Sequence, residues 1–359
     1  MKTIQINPLD NVAVALTPIA KGESVTAGEY TVIAGGDIPQ GHNIALKKIE
    51  KDTNIIKYGF PIGHATEEIE AGNWVHSHNM ATNLEGEVEY TYQPAITPVA
   101  SAEPENFNGF RRKDGRAAIR NEIWIIPTVG CVNDVAKRMV QMNQDLVKGT
   151  IDGLYTFDHP FGCSQTGADH AQTRKLLAAL VRHPNAAAVL VLGLGCENLT
   201  HEQFLEELGD YDSDRVKFLT CQEVEDEFEE GRKLLEQCAE YAGQFHREPI
   251  PVSELVVGMK CGGSDGLSGI TANPTVGRFS DMMAARGGST VLTEVPEMFG
   301  AEGFLMNRCI NKEVFDKAVN MINGFKNYFI SHHEVVYDNP SPGNRQGGIT
   351  TLEDTSCGC

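Results

Sequence analysis

From Phe110 onward, short apolar runs alternate with longer stretches in which apolar residues recur at helical spacing. The runs read EIWIIPTV, GLYTF, AAVLVLGLG, VKFLT, ELVVGMK and STVLTEV, a length typical of buried strands. The helical stretches are VNDVAKRMVQMNQDLV, GADHAQTRKLLAALVRH and VEDEFEEGRKLLEQCAEYAGQF. This alternation predicts an α/β fold with a mainly parallel sheet and helices on its faces.

The first part of the chain has a different pattern. Short alternating segments such as TIQI, NVAVAL and YTVI are broken by Gly, Asp, Asn and Pro, which predicts a small all-β domain. A stretch rich in Pro, Glu and Ser follows, and HREPIP later interrupts the α/β alternation. We therefore predict a β domain over residues 1–95, a linker over 96–109, an α/β domain over 110–250 and the start of a further α/β domain over 251–359.

Composition excludes several classes of function. The 359 residues carry a formal net charge of −19, whereas phosphate binding needs a basic surface, so no nucleic acid is expected as a partner. No stretch approaches the roughly 20 apolar residues of a membrane span, and the N-terminus lacks the apolar core of a signal peptide. We expect a cytoplasmic protein whose nine cysteines are free thiols or metal ligands rather than disulfides.

Five cysteines lie in glycine-containing turns after apolar runs: Cys131, Cys163, Cys196, Cys261 and Cys357. A strand that runs into Gly-Cys places the thiol at its carboxyl end, where open α/β sheets bind ligands. Thiolates suit iron, zinc or iron–sulfur clusters, so Cys131, Cys163 and Cys196 are candidate metal ligands. The alternative is that they are small residues packed under tight turns, because their wide spacing is unlike a compact CxxC motif.

A second candidate metal site is the segment His76-Ser77-His78. On a strand, residues i and i+2 face the same side, so both imidazoles could bind one Fe(II), Mn(II) or Zn(II) ion. His42 is a candidate third ligand. Ordinary surface histidines are the competing interpretation.

Two segments could hold an anionic substrate. In RRKDGRAAIRNE, the guanidinium group of Arg116 and the amide of Asn121 precede a buried strand, and a solvated basic turn is the alternative. In CGGSDGLSG, glycines free the backbone to wrap an anion and hydroxyls add donors. This loop contains no Walker A or GxGxxG motif and suits a polyhydroxylated acid better than a nucleotide; its candidate residues are Gly262, Gly263, Ser264, Asp265 and Ser268.

Candidates for the general base lie in two places. Glu297 follows an apolar run in TEVPEMFG, although acidic residues at a helix N-terminus are also common without any catalytic role. His159 and His170 belong to HPFGCSQTGADH. The sequence leaves the choice among these three residues open.

With these residues in view, the chain closely resembles the altronate branch of the altronate/galactarate dehydratase family. The resemblance covers essentially the whole chain, in stretches such as NIIKYGFPIGHA, VHSHN, GRAAIRNEIWIIPTVGCVN, RHPNAAAVLVLGLGCEN, CGGSDGLSGITANP and NPSPGNRQGGITTLED. It implies that the N-terminal domain is a SAF-like β-clip. Family members usually continue past the end of this chain and read SLGC where it has SCGC, so we expect a C-terminally truncated polypeptide.

The resemblance also implies a hydro-lyase that dehydrates D-altronate to 2-dehydro-3-deoxy-D-gluconate, with Fe(II) or Mn(II) and a sugar-acid substrate. We expect His76 and His78 to bind the metal where the β domain meets the α/β body. Galactarate or a related hydroxy acid as substrate, and a non-catalytic sugar-acid-binding fragment, are the alternatives. A further hypothesis is an iron–sulfur dehydratase that uses three of the strand-end cysteines, and homo-oligomerisation is compatible with all of these.

Overall fold

A computed structural model describes residues 1–84, 86–337 and 340–358. The chain forms two compact units. The first unit contains Met1–Glu103 together with the residues from Val256 onward, and the second unit contains Pro104–Leu255. In the described residues no helix is both long and apolar enough to cross a membrane.

The secondary structure follows the predicted alternation. The strands are β1 (Thr3–Ile4), β2 (Val12–Ala15), β3 (Ser24–Ala27), β4 (Tyr30–Ile33), β5 (Asn43–Ala45), β6 (Asn54–Lys57), β7 (Phe60–Ala65), β8 (Trp74–Val75), β9 (Met80–Ala81), β10 (Asn106–Arg111), β11 (Ala117–Ala118), β12 (Glu122–Pro127), β13 (Gly153–Thr156), β14 (Ala186–Gly193), β15 (Val216–Thr220), β16 (Arg247–Pro251), β17 (Val256–Met259) and β18 (Ser289–Leu292). The helices are α1 (Asn133–Met142), α2 (Gly167–Arg182), α3 (His201–Leu208), α4 (Glu227–Ala242), α5 (Ala272–Ala285), α6 (Glu302–Met306), α7 (Lys312–Ser331), α8 (Pro342–Gln346) and α9 (Leu352–Ser356).

The second unit contains the predicted parallel sheet. Its strands lie in the order β13-β12-β14-β15, and all three pairings are parallel. The central strand β14 is a continuous apolar run that is buried on both faces, as expected when helices cover a parallel sheet. A smaller antiparallel sheet, β11-β10-β16, includes the HREPIP segment as an edge strand. The predicted α/β class is therefore confirmed.

In the first unit, residues 1–84 form the predicted small β domain. It contains a four-stranded sheet in the order β1-β2-β5-β8, a three-stranded sheet in the order β6-β7-β9 and the hairpin β3-β4. Alternate residues fill two small cores, one centred on Ile44 and one on Ile55, both fully buried. These cores confirm the all-β, SAF-like character of the N-terminus.

The stretch expected to be a linker over 96–109 has no regular secondary structure over 96–105. Just before it, the hydroxyl groups of Tyr90 and Tyr92 bond to Glu302 and to the carbonyl of Cys309, and Ala102 N–H donates to the carbonyl of Ala285. Residues Asn106–Arg111 then form β10. The linker bounds therefore stay a prediction, and the structure adds that β10 begins within the stretch.

A buried ion pair joins the β domain to the last described residues of the first unit. Lys57 Nζ lies 2.8 Å from Asp354 Oδ1, and each side chain is only 1% exposed. The other carboxylate oxygen of Asp354 accepts hydrogen bonds from the N–H and hydroxyl of Thr350. Both charges are therefore paired, which is the condition under which a buried ion pair is tolerated.

We predict that Asp354→Asn lowers the free energy of unfolding by about 3–5 kcal/mol, because it leaves the buried Lys57 ammonium without its counter-ion. The matched control is Glu313→Gln, which breaks the exposed Lys317–Glu313 pair and should cost less than about 0.5 kcal/mol. Urea unfolding followed by circular dichroism measures both values. Equal stability of the two variants would contradict the assignment.

Candidate functional site

The two histidines of the His76-Ser77-His78 segment lie in a turn and not on a strand. Strand β8 ends at Val75, and the N–H of Asn79 closes the turn onto the carbonyl of His76. His76 is buried whereas His78 is exposed, so the expected strand alternation does not apply. Both imidazoles nevertheless contact one indole, because the centroids of His76 and His78 lie 5.4 Å and 5.1 Å from the ring centroid of Trp74.

His42 completes a cluster around the same indole, which we call the histidine cluster (His42, His76 and His78). Trp74 Nε1 donates to His42 Nδ1 at 3.1 Å, and His42 Nε2 donates to the carbonyl of Gln346 at 3.1 Å. His76 Nε2 donates to the carbonyl of Arg345 at 2.9 Å. A carbonyl only accepts, so both buried rings carry their proton on Nε2.

These hydrogen bonds leave His42 and His76 with different capacities to bind a further group through Nδ1. The Nδ1 lone pair of His42 is occupied by the Trp74 indole. Nδ1 of His76 faces only the hydroxyl of Ser77, at 2.9 Å, and a hydroxyl can rotate to donate or accept. Burial lowers the pKa of His76 and of His42, so both rings are neutral at neutral pH.

Three chain segments meet beside the histidine cluster, and the residues in contact are glycines. We call this contact the glycine junction (Gly41, Gly266, Gly347 and Gly348). Gly266 N–H donates to the carbonyl of Gly347 at 2.9 Å. A Cβ on Gly266 would lie 1.9 Å from the carbonyl oxygen of Gly41, so no other residue fits there without moving the backbone. The junction brings the CGGSDGLSG loop next to the residues that hold His42 and His76.

Within that loop, the predicted anion-binding residues have different roles. The carboxylate of Asp265 accepts from the N–H groups of Leu267 and Ser268 and from the Ser268 hydroxyl, so it caps the turn. By contrast, no atom lies within 4 Å of where a Cβ would stand on Gly262 or Gly263. The backbone before Ser264 is therefore open to a ligand, while Asp265 and Ser268 stabilise the loop.

His76 fits a metal ligand in one respect. Metal-bound histidines usually donate their other ring N–H to a carbonyl or carboxylate, as His76 does to Arg345. In the described residues, however, no three His, Cys, Asp or Glu side chains converge closely enough to hold a metal ion. The histidine cluster therefore fits only an ion that takes most of its ligands from water or substrate.

The cysteines lie at the carboxyl edge of the parallel sheet of the second unit. Cys131 follows β12, Cys163 lies in the loop after β13, and Cys196 follows β14. All three are exposed free thiols, and the Sγ atoms of Cys131 and Cys163 are 3.7 Å apart. The expected position at the strand ends is confirmed, but these thiols and the histidine cluster belong to different units.

A cavity of about 220 Å³ opens beside this edge. The carboxylates of Glu197, Glu202 and Glu223 lie in its lining. Burial raises the pKa of Glu197, but hydrogen bonds from Gly195 N–H, its own N–H, Thr128 and Leu194 N–H outweigh burial and leave that pKa below its usual value. A cavity lined by carboxylates does not favour a sugar acid.

The two residues of RRKDGRAAIRNE that were expected to bind substrate, Arg116 and Asn121, instead bond to other groups of the protein. The Asn121 side chain is fully buried, donates to the carbonyls of Thr150 and Ala242 and accepts from Arg112. Arg116 pairs with Asp114 two residues earlier in an exposed turn. Asn121 has no contact left for a ligand, which excludes it from the proposal below.

The candidate bases are also distinguished by their surroundings. His159 donates from Nε2 to the carbonyl of Pro127 and accepts the N–H of Phe161 on Nδ1, so both nitrogens hold the loop. His170 lies on α2, and its Nε2 is buried without a hydrogen-bond partner among the described residues. Glu297 lies in a short 3-10 turn just after β18 and shares the first unit with the histidine cluster.

Some residues of the site were not predicted. The carbonyls of Arg345 and Gln346, which orient the two buried histidines, come from the NPSPGNRQGG segment. The feature of this segment that could have identified them is its high content of turn-forming residues, with Pro342 in the first turn of α8 and Gly347 at the end of that helix. The sequence does not indicate the role of Trp74 beside the histidines, because a lone tryptophan on a short strand normally indicates core packing.

We predict that Asn121→Ala lowers the free energy of unfolding by about 2–3 kcal/mol, because it removes three hydrogen bonds in the interior, one from the Arg112 guanidinium and two to the carbonyls of Thr150 and Ala242. Arg116→Ala, which removes only an exposed pair, should change it by less than about 0.5 kcal/mol. Urea unfolding measures both. An Asn121→Ala protein as stable as the wild type would restore the substrate-binding interpretation.

Comparison with known families matches every part of this architecture. Residues 1–83 match the altronate/galactarate dehydratase SAF domain. Residues 109–243 match the second domain of D-galactarate dehydratase/altronate hydrolase, and residues 252–359 match the C-terminal part of D-galactarate/altronate dehydratase. These boundaries follow the change from β to α/β structure described above.

Individual relatives agree with the family match. The chain is 52% identical to altronate dehydratase of Escherichia coli K12, over 100% of this chain and 73% of the relative. It is 52% identical to altronate dehydratase of Bacillus subtilis 168, over 99% and 72% respectively. Identity to the L-threo-forming galactarate dehydratase of E. coli is 32%, over 99% and 71%. The chain is therefore a member of the altronate/galactarate dehydratase family of hydro-lyases.

Proposed function

We propose that this protein dehydrates D-altronate to 2-dehydro-3-deoxy-D-gluconate. The observation that carries the proposal is the difference between the relatives: identity is 52% to two altronate dehydratases but 32% to a galactarate dehydratase, over similar coverage. Galactarate, or a related hydroxy acid, is the second candidate substrate, and the lower identity makes it the weaker one.

The reaction removes the proton on the carbon beside the carboxylate and expels the hydroxyl from the next carbon as water. The enol that results takes up a proton and becomes the 2-keto acid. The carbon acid is weak, so its negative charge must be stabilised as the proton leaves. A base, an acid for the departing hydroxyl and a cationic or hydrogen-bonding site for the carboxylate are therefore required.

We assign the carboxylate of the substrate to the open backbone at Gly262 and Gly263, with Ser264 as a hydroxyl donor. The space around both glycines supports this assignment. Asp265 and Ser268 act indirectly, because their mutual hydrogen bonds keep the loop in shape. The loop lies beside the histidine cluster through the glycine junction, so a small acid could contact both.

Fe(II) or Mn(II) is the proposed metal, and His76 and His78 are the residues that would hold it. An ion of this kind, when bound, supplies positive charge to the substrate carboxylate. The protein's own contribution is to fix His76 through the carbonyl of Arg345, so that its Nδ1 lone pair remains available. His42 likewise donates from Nε2 to a carbonyl, but its Nδ1 already accepts the Trp74 N–H. We therefore assign His42 a structural role, in packing and in orienting Trp74.

For the general base we propose Glu297. It lies at the carboxyl ends of the parallel pair β17-β18, the same edge that carries the start of the CGGSDGLSG loop. Next to it, Glu294 accepts from the N–H of Cys261 and pairs with Lys260, which ties the two strand ends together. His159 and His170 belong to the second unit, and His159 has both ring nitrogens in use.

The first test is anaerobic turnover of D-altronate by the purified chain supplied with Fe(II) or Mn(II), with the 2-keto acid measured over time. We predict a product that a chelator abolishes and that added metal restores. Galactarate should be turned over at least about tenfold more slowly, a difference of roughly 1.4 kcal/mol in barrier. A folded protein that binds D-altronate without converting it would instead indicate a sugar-acid-binding function.

The second test concerns His76. We predict that His76→Gln lowers metal-dependent turnover at least about 100-fold, because glutamine preserves a donor towards the Arg345 carbonyl but removes the Nδ1 lone pair. The matched control is His64→Gln in the same β domain, where the imidazole bonds to exposed Asn83. Metal affinity, measured by calorimetry, should fall only in the first variant. Unchanged affinity and turnover in His76→Gln would contradict the metal assignment.

A further inference from the structure

The strand-end thiols of the second unit are brought together by the backbone that precedes them. Gly130 N–H donates to the carbonyl of Phe161 at 2.7 Å, so the loops before Cys131 and Cys163 touch directly. A Cβ on Gly130 would lie 2.7 Å from the His159 carbonyl oxygen, and one on Gly162 would lie 2.6 Å from a methyl group of Val129. The close approach of these loops depends on both glycines.

The distance between the two thiols suits shared coordination. Their Sγ atoms are 3.7 Å apart, far beyond the roughly 2.05 Å of a disulfide bond. Two thiolates on one tetrahedral metal ion, each with a metal–sulfur bond of about 2.3 Å, lie about 3.8 Å apart. The separation of Cys131 and Cys163 therefore matches that of two thiolate ligands on one tetrahedral ion.

Cys196 extends the pair along the sheet edge. Because β12 lies between β13 and β14, the loops that carry Cys163, Cys131 and Cys196 follow one another in that order. Its thiol is exposed at that edge, with Sγ 4.0 Å from the side-chain amide nitrogen of Gln222. In the described part of the chain, however, no three such side chains converge on a single-ion site. Two thiols at tetrahedral separation and a third further along suit a centre with two metal ions.

Unpaired polar groups occur next to the same thiols. The side-chain oxygens of Asn133 and Gln165, each two residues after a cysteine of the pair, are buried without a hydrogen-bond partner among the described residues. Both oxygens are hydrogen-bond acceptors, so a bound group that satisfies them has to present a donor, such as a metal-bound water. By contrast Cys238, in α4, is wholly enclosed by apolar side chains and serves as packing.

We propose that Cys131 and Cys163 bind one iron of a binuclear iron–sulfur cluster and that Cys196 binds the other. Each thiol loses its proton on binding, and inorganic sulfide bridges the two irons. Three protein thiolates leave one coordination position of the second iron for water or an oxygen of a small ligand. The proposal is independent of the metal assigned to His76 and His78, which belong to the other unit.

The test is to purify the full chain anaerobically, reconstitute it with Fe(III) and sulfide, and measure iron, acid-labile sulfide and the visible spectrum. We expect about two irons and two sulfides per chain and an absorption band in the visible region. Cys131→Ser and Cys163→Ser should lose at least about 80% of the sulfide, and Cys196→Ser should lose most of it. Cys221→Ser is the matched control, because this half-buried thiol follows the next strand, β15, and should retain the full load.

The other outcomes would overturn the proposal. Zinc without sulfide in the purified protein would indicate a single-ion site, and loss of two thiols without bound iron would indicate a disulfide between Cys131 and Cys163. Equal sulfide in all four variants would show that the cluster is bound elsewhere or only adventitiously. Circular dichroism of each variant verifies that it is folded, which we expect because all three candidate ligands are exposed.

Discussion

The first unit depends on the burial of a full positive charge at Lys57. A lysine that is 1% exposed needs a counter-ion, and Asp354, almost three hundred residues later in the chain, is held in place by its bonds to Thr350. The chain between Gly347 and Thr350 is short, so fixing Thr350 also fixes the carbonyls of Arg345 and Gln346 that orient the buried histidines. The geometry of the histidine cluster is therefore linked to one ion pair at its side.

Much of the fold could be predicted from the sequence because its determinants are local. The apolar runs are long enough to identify each strand of the parallel sheet, and the helical periods identify α1, α2 and α4, although not the short helix α3. The position of Cys131 and Cys196 at strand ends follows from the same reasoning, since a run that ends in Gly-Cys can place the thiol nowhere else. The SAF-like β domain was equally evident from its short, turn-bounded segments.

The residues whose surroundings differ from expectation make contacts with distant parts of the chain. Whether His76 lies on a strand or in a turn depends on where β8 stops pairing with β5, and that position is set by Asn79, whose side chain accepts the N–H of His76. Asn121 looked like a substrate ligand because its type suits one, yet Arg112, Thr150 and Ala242 use its whole amide. No local pattern encodes these partners.

One physical criterion separates the structural residues from the candidate ligands: whether a polar side chain has any bonding capacity left after folding. His42 and His76 have similar burial and similar carbonyl anchors, but the indole of Trp74 fills the remaining lone pair of His42 and leaves that of His76 to a rotatable hydroxyl. The same criterion removes Asn121, His159 and Asp265 from the candidate ligands. Gly262 and Gly263 remain candidates on a different ground, the open space around their backbone.

Applied to the second unit, the criterion identifies the cysteine pair and the two unpartnered amide oxygens beside it. These groups retain bonding capacity at the sheet edge where ligands of α/β proteins bind. The amide of Asn133 donates to the His159 carbonyl, which fixes its orientation and leaves its oxygen able to accept from a hydrogen-bond donor. Other atoms of this unit, such as His170 Nε2, also lack a partner among the described residues, so the 3.7 Å separation of the two thiols is the stronger evidence for a metal site.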